Sequence, residues 1–502
     1  MPVATTATYD RLFIGGEWVA PDSDRTIDVV NPATGQVIGS VPAASTGDVD
    51  RAVAAARRAF DSGWATAPVE DRREVLRRIA DGYRRRAEEF ASLITDEMGC
   101  PISVSRWMQA GTPVMQIEAY LELSREFAFE EVRRTATGTG LVVKEPVGVV
   151  AAVIPWNSPQ ASAMFKIPPA LISGCTVVLK PAPETALDAM LFAEMLEEVG
   201  VPPGVVNVVP ADRDVSEYLV SHPSVDKVAF TGSTAAGRRI ASLCGNDLRR
   251  VTLELGGKSA AIVFADADLD AAVAGARMGS LLNTGQVCSN KTRFLVQDEV
   301  YDDVVERLVA LMDAVVLGDP RDPATEMGPV VSVRQRDRVL DYLAIGQREG
   351  ARLVRGGGIP AGFEVGAWVE PTLLAGVDNA SRVAQEEVFG PVLTVTPFRD
   401  ESEAVRLAND SVYGLSGAVM TADLDRAMRV ARGVRTGGMS INGASAGLSA
   451  PFGGFKSSGI GREMGTEAFA SYTEVKAIGV PPSFGTDIDV NSDTHTDTEA
   501  AR

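Results

Sequence analysis

Residues 147–180 read VGVVAAVIPWNSPQASAMFKIPPALISGCTVVLK and contain two short apolar runs separated by a longer segment. The runs at 147–154 and 176–180 are rich in β-branched residues and bounded by Gly or Pro, which is typical of buried strands. A helical pattern, ALDAMLFAEMLEEVG at 186–200, follows and ends at a glycine suited to a C-cap. Strands that alternate with helices of this length predict βαβ units and a parallel sheet covered on both faces.

The alternation continues along the chain. Helical periodicity with abundant Arg and Glu marks 48–61 and 69–98, strand-like runs recur at 205–209 and 227–230, and a second α/β region extends from about 256 to 469. A chain of 502 residues is long enough for about three domains. The segments 138–146 and 471–478 are typical of exposed β arms that pair with another subunit.

Composition excludes several classes of protein. Acidic residues outnumber basic ones by 67 to 48, which gives a formal net charge of −19 and argues against a nucleic-acid or anionic-membrane partner. The apolar runs are far shorter than the about 18 residues that span a bilayer. The first residues show no charged segment followed by an apolar core, so we expect a cytoplasmic protein without a signal peptide.

The rare residues narrow the chemistry. Only two histidines are present, His222 and His495, which almost excludes a Ser-His-Asp triad or a histidine-rich metal site, and we expect no metal. The four cysteines, Cys100, Cys175, Cys244 and Cys288, show no CxxC spacing and are expected to be reduced thiols. Each is interpreted as a small buried hydrophobe unless a surrounding motif indicates chemistry.

One segment is suited to binding a phosphate. No GxGxxG follows a strand, but GSTAAG at 232–237 comes directly after the run 228–230 and is predicted to open a helix at 237–243. Backbone N–H groups at a helix N-terminus favour an anion, and Ser233 adds a hydroxyl group. Lys180 ends a predicted strand, at the sheet edge where ligands bind in open parallel sheets. A plain turn at 232–237 is the alternative interpretation.

Three motifs carry catalytic chemistry when they are taken together. PWN at 155–157 and ELGG at 254–257 each end a predicted strand, and GQVC at 285–288 precedes one. A thiolate nucleophile needs a flexible, partly exposed setting such as the one Gly285 gives Cys288. An asparagine amide donates to a developing oxyanion, and a carboxylate without a fixed cation serves as a general base for water.

These motifs, in this order, resemble the aldehyde dehydrogenase superfamily of hydrolytic, NAD(P)-dependent enzymes. The resemblance extends from about residue 13 to about residue 476. Further motifs that carry it are FIGGEWV at 13–19, NPATG at 31–35, KPA at 180–182, FTGS at 230–233, EVFGP at 387–391 and PFGGFK at 451–456.

The resemblance implies an α/β fold with a Rossmann-like parallel-sheet cofactor domain, an α/β catalytic domain and a small β oligomerisation arm. The implied boundaries are 1–127 and 147–255 for the dinucleotide-binding domain, 256–469 for the catalytic domain, 128–146 and 470–480 for the arms, and 481–502 for a tail expected to be disordered. A homodimer or homotetramer is the expected assembly.

The resemblance also implies a role for each matching residue. Cys288 attacks the aldehyde carbon, Asn157 and the Cys288 N–H hold the oxyanion, and Glu254 activates the water that releases the acid. Lys166 and Glu463 match positions that relay protons. The implied cofactor-binding residues are Ile154, Pro155, Trp156, Lys180, Glu184, Gly232, Ser233, Gly237, Leu255, Glu387 and Phe389. The implied substrate-binding residues are Ser158, Ala161, Ser162, Phe165, Val287, Ser289, Ala446 and Phe452.

Two features bear on specificity. Many NAD-using members carry an acid three residues after the lysine of KPA, where this sequence has Pro183 and places Glu184 one residue later. We therefore expect NAD as cofactor with only a modest preference over NADP. Most of the implied tunnel positions are small beside Phe165 and Phe452, which favours a large apolar or aromatic aldehyde unless neighbouring loops fill the space.

Three alternatives are weighed against this interpretation. A CoA-acylating member of the superfamily typically lacks the general-base glutamate, whereas Glu254 is present. A cofactor-free thiol hydrolase would need a histidine to activate Cys288, and an inactive binding protein would not be expected to keep all three catalytic residues.

Overall fold

The computed structural model describes residues 7–484 and confirms the α/β fold class. Two large, mainly parallel sheets are accompanied by two three-stranded sheets. Of the segment predicted to be a disordered tail, residues 481–484 form a turn in which the Phe484 N–H donates to the Pro481 carbonyl at 2.9 Å. The remainder of that segment, 485–502, lies outside the described residues.

The first large sheet has eight strands and carries the 147–180 unit near its centre. Every residue of Val149–Val153 and Thr176–Lys180 is buried, as expected for parallel strands covered on both faces. Its spatial order is Gly459–Ile460, Arg250–Glu254, Lys227–Thr231, Val149–Val153, Thr176–Lys180, Val206–Val208, Leu12–Ile14 and Glu17–Val19. The α-helices of this part of the chain are Thr46–Asp61, Val69–Arg85, Ala87–Met98, Ile102–Val104, Thr112–Glu126, Pro159–Ser173, Leu187–Glu198, Arg213–Ser221 and Thr234–Asn246, with a π-helical segment at Ser105–Gly111 and 3₁₀ turns at Trp64–Thr66 and Pro183–Thr185.

The second large sheet has seven strands, and only its first edge strand is antiparallel. Its spatial order is Arg352–Arg355, Thr372–Ala375, Val392–Phe398, Arg293–Gln297, Ala260–Val263, Ser416–Met420 and Gly438–Ile441. The accompanying α-helices are Leu269–Gly279, Tyr301–Asp313, Val333–Arg348, Arg382–Gln385, Glu401–Asn409 and Leu424–Gly433, with 3₁₀ turns at Leu282–Gly285, Asp298–Val300 and Lys456–Ser458, whereas the short helix Glu467–Ala470 packs against the first unit.

The two small sheets contain the remaining strands. Near the N-terminus Ala7–Thr8, Val37–Pro42 and Thr26–Val30 pair in that order. The two predicted arms pair with each other: Thr473–Val480 runs antiparallel to Gly138–Pro146, whose other edge is bound by Glu130–Thr135. That the arms also contact another subunit stays a prediction.

Three details differ from the sequence-based expectation. The helix expected at 237–243 begins at Thr234, because the Ser233 hydroxyl accepts the Ala236 N–H at 3.3 Å and caps it there. The helical stretch 69–98 is broken at Arg86 into two helices. The catalytic domain was expected to extend to residue 469, but its last part belongs with the first α/β unit. Gly459–Ile460 pairs with the first sheet, and Phe469 packs in the core of the first unit.

Candidate active site

A cavity of about 600 Å³ opens where the carboxyl ends of the first sheet face the loops of the second α/β unit. Cys288, Glu254 and Asn157, which are far apart in sequence, all line it. Other predicted residues that line it are Pro155, Trp156, Ser158, Ala161, Ser162, Phe165, Gly232, Ser233, Leu255, Val287, Ser289, Glu387, Phe389, Phe452 and Glu463. The structure therefore brings most of the predicted cofactor and substrate residues to one site.

The backbone before Cys288 is held in an unusual conformation. Asn283, Thr284 and Gly285 have successive φ angles of 54°, 56° and 75°. The left-handed region is unfavourable for a β-branched residue, and the Thr284 hydroxyl is tied to the Gly328 carbonyl at 3.1 Å. A Cβ atom at Gly285 would lie 2.0 Å from the Gly390 carbonyl oxygen, so only glycine fits there. This turn fixes the half-buried Cys288 at the wall of the cavity.

The electrostatic setting of Cys288 keeps it a neutral thiol in the free protein. Burial raises the pKa of Cys288 to about 12, and the negative charges of Glu387 and Glu254 act in the same direction. The N–H groups of Ser289 and of Cys288 itself donate toward the sulfur and offset part of this effect. An attacking thiolate therefore has to form during the reaction rather than be present in advance.

Asn157 is held by a cluster of buried amides. Its Nδ2 donates to the Gln286 carbonyl at 2.8 Å, which leaves a second N–H free toward the cavity. The main-chain carbonyl of Asn157 accepts from Gln109 Nε2 at 3.1 Å and from Asn283 Nδ2 at 3.0 Å. Gln109, in the π-helical segment, was missed by the sequence analysis, since a single glutamine in a helical stretch gives no signal.

Glu254 ends the strand Arg250–Glu254 and is 3% exposed. Neither of its carboxylate oxygens has a hydrogen-bond partner among the described residues. Burial raises the pKa of Glu254 well above its usual value, and the Glu463 carboxylate raises it further, whereas Lys166 and Arg462 oppose the shift. A buried, unpaired carboxyl group facing a cavity is suited to take a proton from a molecule bound there.

Lys166 and Glu463 form a buried ion pair beside Glu254. Lys166 Nζ donates to Glu463 Oε1 at 2.6 Å and to the Thr231 hydroxyl at 2.6 Å. Glu463 lines the cavity, whereas Lys166 is fully buried behind it and does not. The pair acts on Glu254 through its charges, but within the described residues no hydrogen bond joins it to the Glu254 carboxylate.

A second cavity of about 440 Å³, which we call the adenosine-end cavity, shares Ser233 with the first. The two cavities thus form one groove along the carboxyl edge of the first sheet. Lys180 lines it and is 7% exposed, and its side-chain ammonium makes no hydrogen bond or ion pair with any described residue. Burial lowers the pKa of Lys180 to about 8, although the nearby Glu184 and Asp212 favour its charged form.

Three predicted cofactor residues do not line this groove. Ile154 is buried in the sheet, where its N–H donates to the Lys180 carbonyl at 3.1 Å. Gly237 instead allows close packing, because a Cβ there would lie 2.4 Å from the Leu255 side chain. Glu184 lies in the turn Pro183–Thr185, and it is Pro183 that faces the cavity.

Glu387 and Phe389 are fixed at the opposite end of the groove. The Glu387 carboxylate accepts the Gly257 N–H at 3.1 Å and lies so close to Gly256 that a Cβ there would approach to 2.3 Å. Burial raises the pKa of Glu387 to about 7. The Phe389 backbone has a φ of 60°, and its carbonyl accepts from Gln335 Nε2 at 2.8 Å. Gln335 also lines the cavity and was not predicted from the sequence.

The aldehyde side of the cavity is largely apolar. The rings of Phe165 and Phe452 stack with centroids 5.7 Å apart and planes 11° apart. Met108 and Thr112 also line this wall and were not predicted. Ala446 was also expected here, but it is exposed in a surface loop and does not line the cavity.

The other cysteines have no part in this site. Cys100, Cys175 and Cys244 are buried, as the sequence predicted. Within residues 7–484, no cluster of three or more His, Cys, Asp or Glu side chains is placed to bind a metal ion. In the same range, no helix combines the length and the apolar character needed to cross a membrane.

Comparison with known proteins agrees with the resemblance. The model of the aldehyde dehydrogenase family matches residues 18–478. Geranial dehydrogenase from Castellaniella defragrans is 48% identical over 475 residues, covering 94% of this chain and 99% of that protein. The chain therefore belongs to the aldehyde dehydrogenase family and is an oxidoreductase that acts on aldehydes.

Two solved structures illustrate the similarity of fold. An aldehyde dehydrogenase from Mycobacterium tuberculosis complexed with NAD⁺ superposes with a TM-score of 0.93 at 43% identity, covering 95% of this chain and 99% of that one. A mutant of aldehyde dehydrogenase C from Pseudomonas syringae, complexed with NAD⁺ and octanal, gives 0.91 at 40% identity, covering 95% and 97%.

Proposed function

We propose that this chain oxidises an aldehyde to the carboxylic acid with NAD, through a thiohemiacetal and then a thioester on Cys288, and that Glu254 activates the hydrolytic water. The observation that carries the proposal is the unpaired, buried Glu254 carboxyl group lining the same cavity as Cys288 and the Asn157 amide. These three groups are a base, a nucleophile and an oxyanion donor, which is the set that acyl transfer to water requires.

In the first step the Cys288 sulfur attacks the carbonyl carbon and its proton leaves. Because the raised pKa of Cys288 disfavours a standing thiolate, we assign proton loss to water at the open side of this half-buried residue. The oxyanion that forms accepts from the free N–H of Asn157 and from the Cys288 N–H. Gln109 and Asn283 fix the backbone of Asn157 by donating to its main-chain carbonyl, and the Gln286 carbonyl orients its side-chain amide.

The groove fits a dinucleotide. The unpaired Lys180 ammonium is suited to ribose hydroxyls, and the N-terminus of Thr234–Asn246, capped by Ser233, is suited to the pyrophosphate. Glu387 and Phe389 would hold the nicotinamide ribose and ring. When bound, NAD supplies the acceptor for the hydride that leaves the thiohemiacetal carbon. We expect a preference for NAD over NADP of only about tenfold, because Pro183 rather than Glu184 lines the cavity beside Lys180, and an acid at that position would repel a 2′-phosphate.

In the last step the Glu254 carboxylate takes a proton from water, which attacks the thioester carbon and displaces the Cys288 sulfur. The raised pKa of Glu254 makes it a stronger base than an exposed carboxylate. The displaced Cys288 sulfur takes up a proton from water, and the proton held by Glu254 passes through a water molecule to Lys166 and Glu463, which are joined at 2.6 Å. Both groups are buried, so we propose a relay role rather than a surface ion pair.

The substrate class follows from the cavity. Its aldehyde side combines the stacked Phe165 and Phe452 rings with the small side chains of Ser158, Ala161 and Ser162. A cavity of about 600 Å³, which also has to hold the reactive end of the cofactor, leaves room for several methylene groups. We propose that large apolar or aromatic aldehydes are the preferred substrates.

We also propose that the chain assembles as a homodimer or homotetramer through the arm sheet. Thr473–Val480 pairs on one edge only within the described residues, and Val475 is 67% exposed on it. An apolar side chain on an open strand edge favours association with a further strand. Light scattering after gel filtration measures the molar mass in solution, which we expect to be two or four times that of one chain. The mass of a monomer would contradict the proposed assembly.

Replacing the nucleophile tests the reaction class. We expect Cys288→Ser to lose more than 95% of NAD-dependent oxidation of hexanal, because a serine hydroxyl is a far weaker acid and a poorer nucleophile than a thiol. Binding of NAD, followed by calorimetry, should be unchanged. Cys244→Ser is the matched control and should retain full activity. A Cys288→Ser variant with more than a few per cent of wild-type activity would contradict the proposal.

A further inference from the structure

A loop of the second α/β unit, residues 319–331, contacts the turn that precedes the nucleophile, and we call this loop the bracing segment. The Gly328 carbonyl accepts from the Thr284 hydroxyl at 3.1 Å. The Val331 N–H donates to the side-chain carbonyl of Gln286 at 2.9 Å. Thr284 has a φ of 56°, and a residue in that region keeps its conformation only while its surroundings hold it. The bracing segment therefore helps to fix the conformation of the turn.

The same turn holds the proposed oxyanion donor. Asn157 Nδ2 donates to the main-chain carbonyl of Gln286 at 2.8 Å, and Asn283 Nδ2 donates to the main-chain carbonyl of Asn157 at 3.0 Å. Gln286 Nε2 in turn donates to the Asn283 carbonyl at 3.1 Å. All three residues are buried. A displacement of the turn would therefore move the Asn157 amide relative to the Cys288 sulfur.

The bracing segment also contacts the first α/β unit, just after the helix Ala87–Met98. The Ile102 N–H donates to the Pro320 carbonyl at 2.7 Å. Gly328 approaches Gly99 so closely that a Cβ atom on it would lie 2.1 Å from the Gly99 carbonyl oxygen. Apolar side chains from both units form a small buried cluster at this contact, namely Ile94, Met98, Cys100 and Val331.

One ion pair fastens this contact between the two units. Arg321 Nε donates to Asp96 Oδ1 at 2.6 Å, and Arg321 NH2 donates to Asp96 Oδ2, so the pair is bidentate. The Asp96 side chain is 8% exposed and that of Arg321 is 43% exposed. A planar guanidinium bound through two parallel hydrogen bonds fixes direction as well as distance. The pair therefore holds the bracing segment in one orientation against the first unit.

The chain between this ion pair and Gly328 is short and bonded to its surroundings. The Thr325 N–H donates to the Asp322 carbonyl at 3.0 Å, and the Met327 N–H donates to the Val316 carbonyl at 3.1 Å. A loop with such bonds moves as a unit, so a shift at the ion pair reaches Gly328 instead of being absorbed on the way.

We propose that Asp96 and Arg321 are positioning residues for aldehyde oxidation. Their ion pair holds the bracing segment against the first unit, and the bracing segment holds the turn that sets Cys288 relative to Asn157. Neither Asp96 nor Arg321 lines the cavity, so both act through the turn. The inference rests on the proposed catalytic roles of Cys288 and Asn157 and adds a contact outside the cavity on which those roles depend.

The test combines kinetics with hydrogen exchange on the full-length protein. Asp96→Asn, Arg321→Gln and the double variant form a cycle that removes the charges and nearly keeps the shapes, and Arg321→Lys keeps the charge without the planar fork. Arg429→Gln is the matched control, because Arg429 binds Glu401 within the second unit through the same two atoms, Nε at 3.0 Å and NH2 at 2.9 Å. Oxidation of hexanal with NAD, and amide exchange in peptides covering 281–290, are measured at a temperature at which every variant is folded.

We expect Asp96→Asn and Arg321→Gln each to lower kcat about fivefold, with KM for hexanal and for NAD changed by less than about twofold. The loss is partial because the Val330 N–H also ties the bracing segment to the Ala367 carbonyl at 2.9 Å. The double variant should lose no more than the less active single variant, since both changes break one contact.

Peptides covering 281–290 should exchange at least about threefold faster in both single variants, because the turn opens locally more often. Arg321→Lys should be intermediate in kcat and in exchange, and Arg429→Gln should match the wild type in both.

Unchanged exchange of the turn in both single variants, or faster exchange without any loss of kcat, would overturn the proposal. Additive losses in the double variant would also overturn it, because the two residues would then act through separate contacts. Absence of aldehyde oxidation by the wild type would contradict the proposed function instead, and exchange would then still report whether the ion pair holds the turn.

Discussion

Replacing Glu254 by glutamine separates the two halves of the proposed reaction. The change is nearly isosteric, and neither oxygen has a hydrogen-bond partner among the described residues, so no bond within that range is lost. We therefore expect the free energy of unfolding to change by less than about 1 kcal/mol. Formation of the thioester does not need this carboxyl group in our scheme, whereas its hydrolysis does.

The expected size of the effect follows from the role of a general base. Loss of such a group typically costs about 10² to 10⁴ in rate, so steady-state kcat should fall at least about 100-fold. Rapid mixing of Glu254→Gln with NAD and hexanal should give a burst of reduced cofactor of about one equivalent per site, followed by slow turnover. Wild-type kcat should rise with pH through the raised pKa of Glu254, because only the carboxylate form accepts a proton, and the variant should lose that rise.

The control is Glu299→Gln, which removes an exposed carboxylate outside the cavity and should leave both phases unchanged. If the first turnover of Glu254→Gln slows as much as the steady state, the reasoning is refuted. Glu254 would then act before hydride transfer, as the base that deprotonates Cys288.

Three further predictions concern the rest of the site. Gln109→Leu should lower kcat about tenfold with little change in KM for NAD, because it removes one of the two side-chain amides that donate to the main-chain carbonyl of Asn157. Gln109→Glu should show the same loss, since a carboxylate cannot donate this hydrogen bond. An unchanged kcat in Gln109→Leu would contradict a positioning role for Gln109. Hexanal should exceed acetaldehyde in kcat/KM by up to about 200-fold, from four methylenes at about 0.8 kcal/mol each, and a higher value for acetaldehyde would contradict the roomy cavity. Iodoacetamide should alkylate Cys288 slowly at pH 7 without cofactor, with a rate that still rises above pH 10, because its pKa is raised to about 12; a plateau near pH 8 would show that the thiol is already activated.

The convergence of two proposed catalytic residues, Asn157 and Glu254, was predictable because their motifs follow strands whose ends the topology brings together. Asn157 and Glu254 follow strands of one parallel sheet, and the carboxyl ends of such strands meet at one edge. Cys288 could be placed beside them only through the resemblance. Periodicity within the chain says nothing about which loop of the second α/β unit faces that edge.

What the sequence could not predict depends on contacts between distant segments. Gln109 meets Asn157 across 48 positions of sequence, through an irregular π-helical segment that has no pattern of its own. Ala446 was expected to line the cavity, but closeness in sequence to Phe452 does not fix the direction of an exposed loop. Glu184 likewise does not line the groove because of the conformation of the turn Pro183–Thr185. The sequence shows only that the acid stands one residue later than in many NAD-using members, and this does not predict how the turn orients it.

The central claim is a covalent acyl intermediate on Cys288, and mass spectrometry of a quenched reaction tests it most directly. Glu254→Gln is mixed with NAD and excess hexanal, quenched in acid at the end of the burst, and digested. We predict that the peptide containing Cys288 carries the mass of a hexanoyl group, and that omitting NAD abolishes it because a thiohemiacetal reverses on quenching. A burst without any adduct, or an adduct on Cys100, Cys175 or Cys244, would contradict the account.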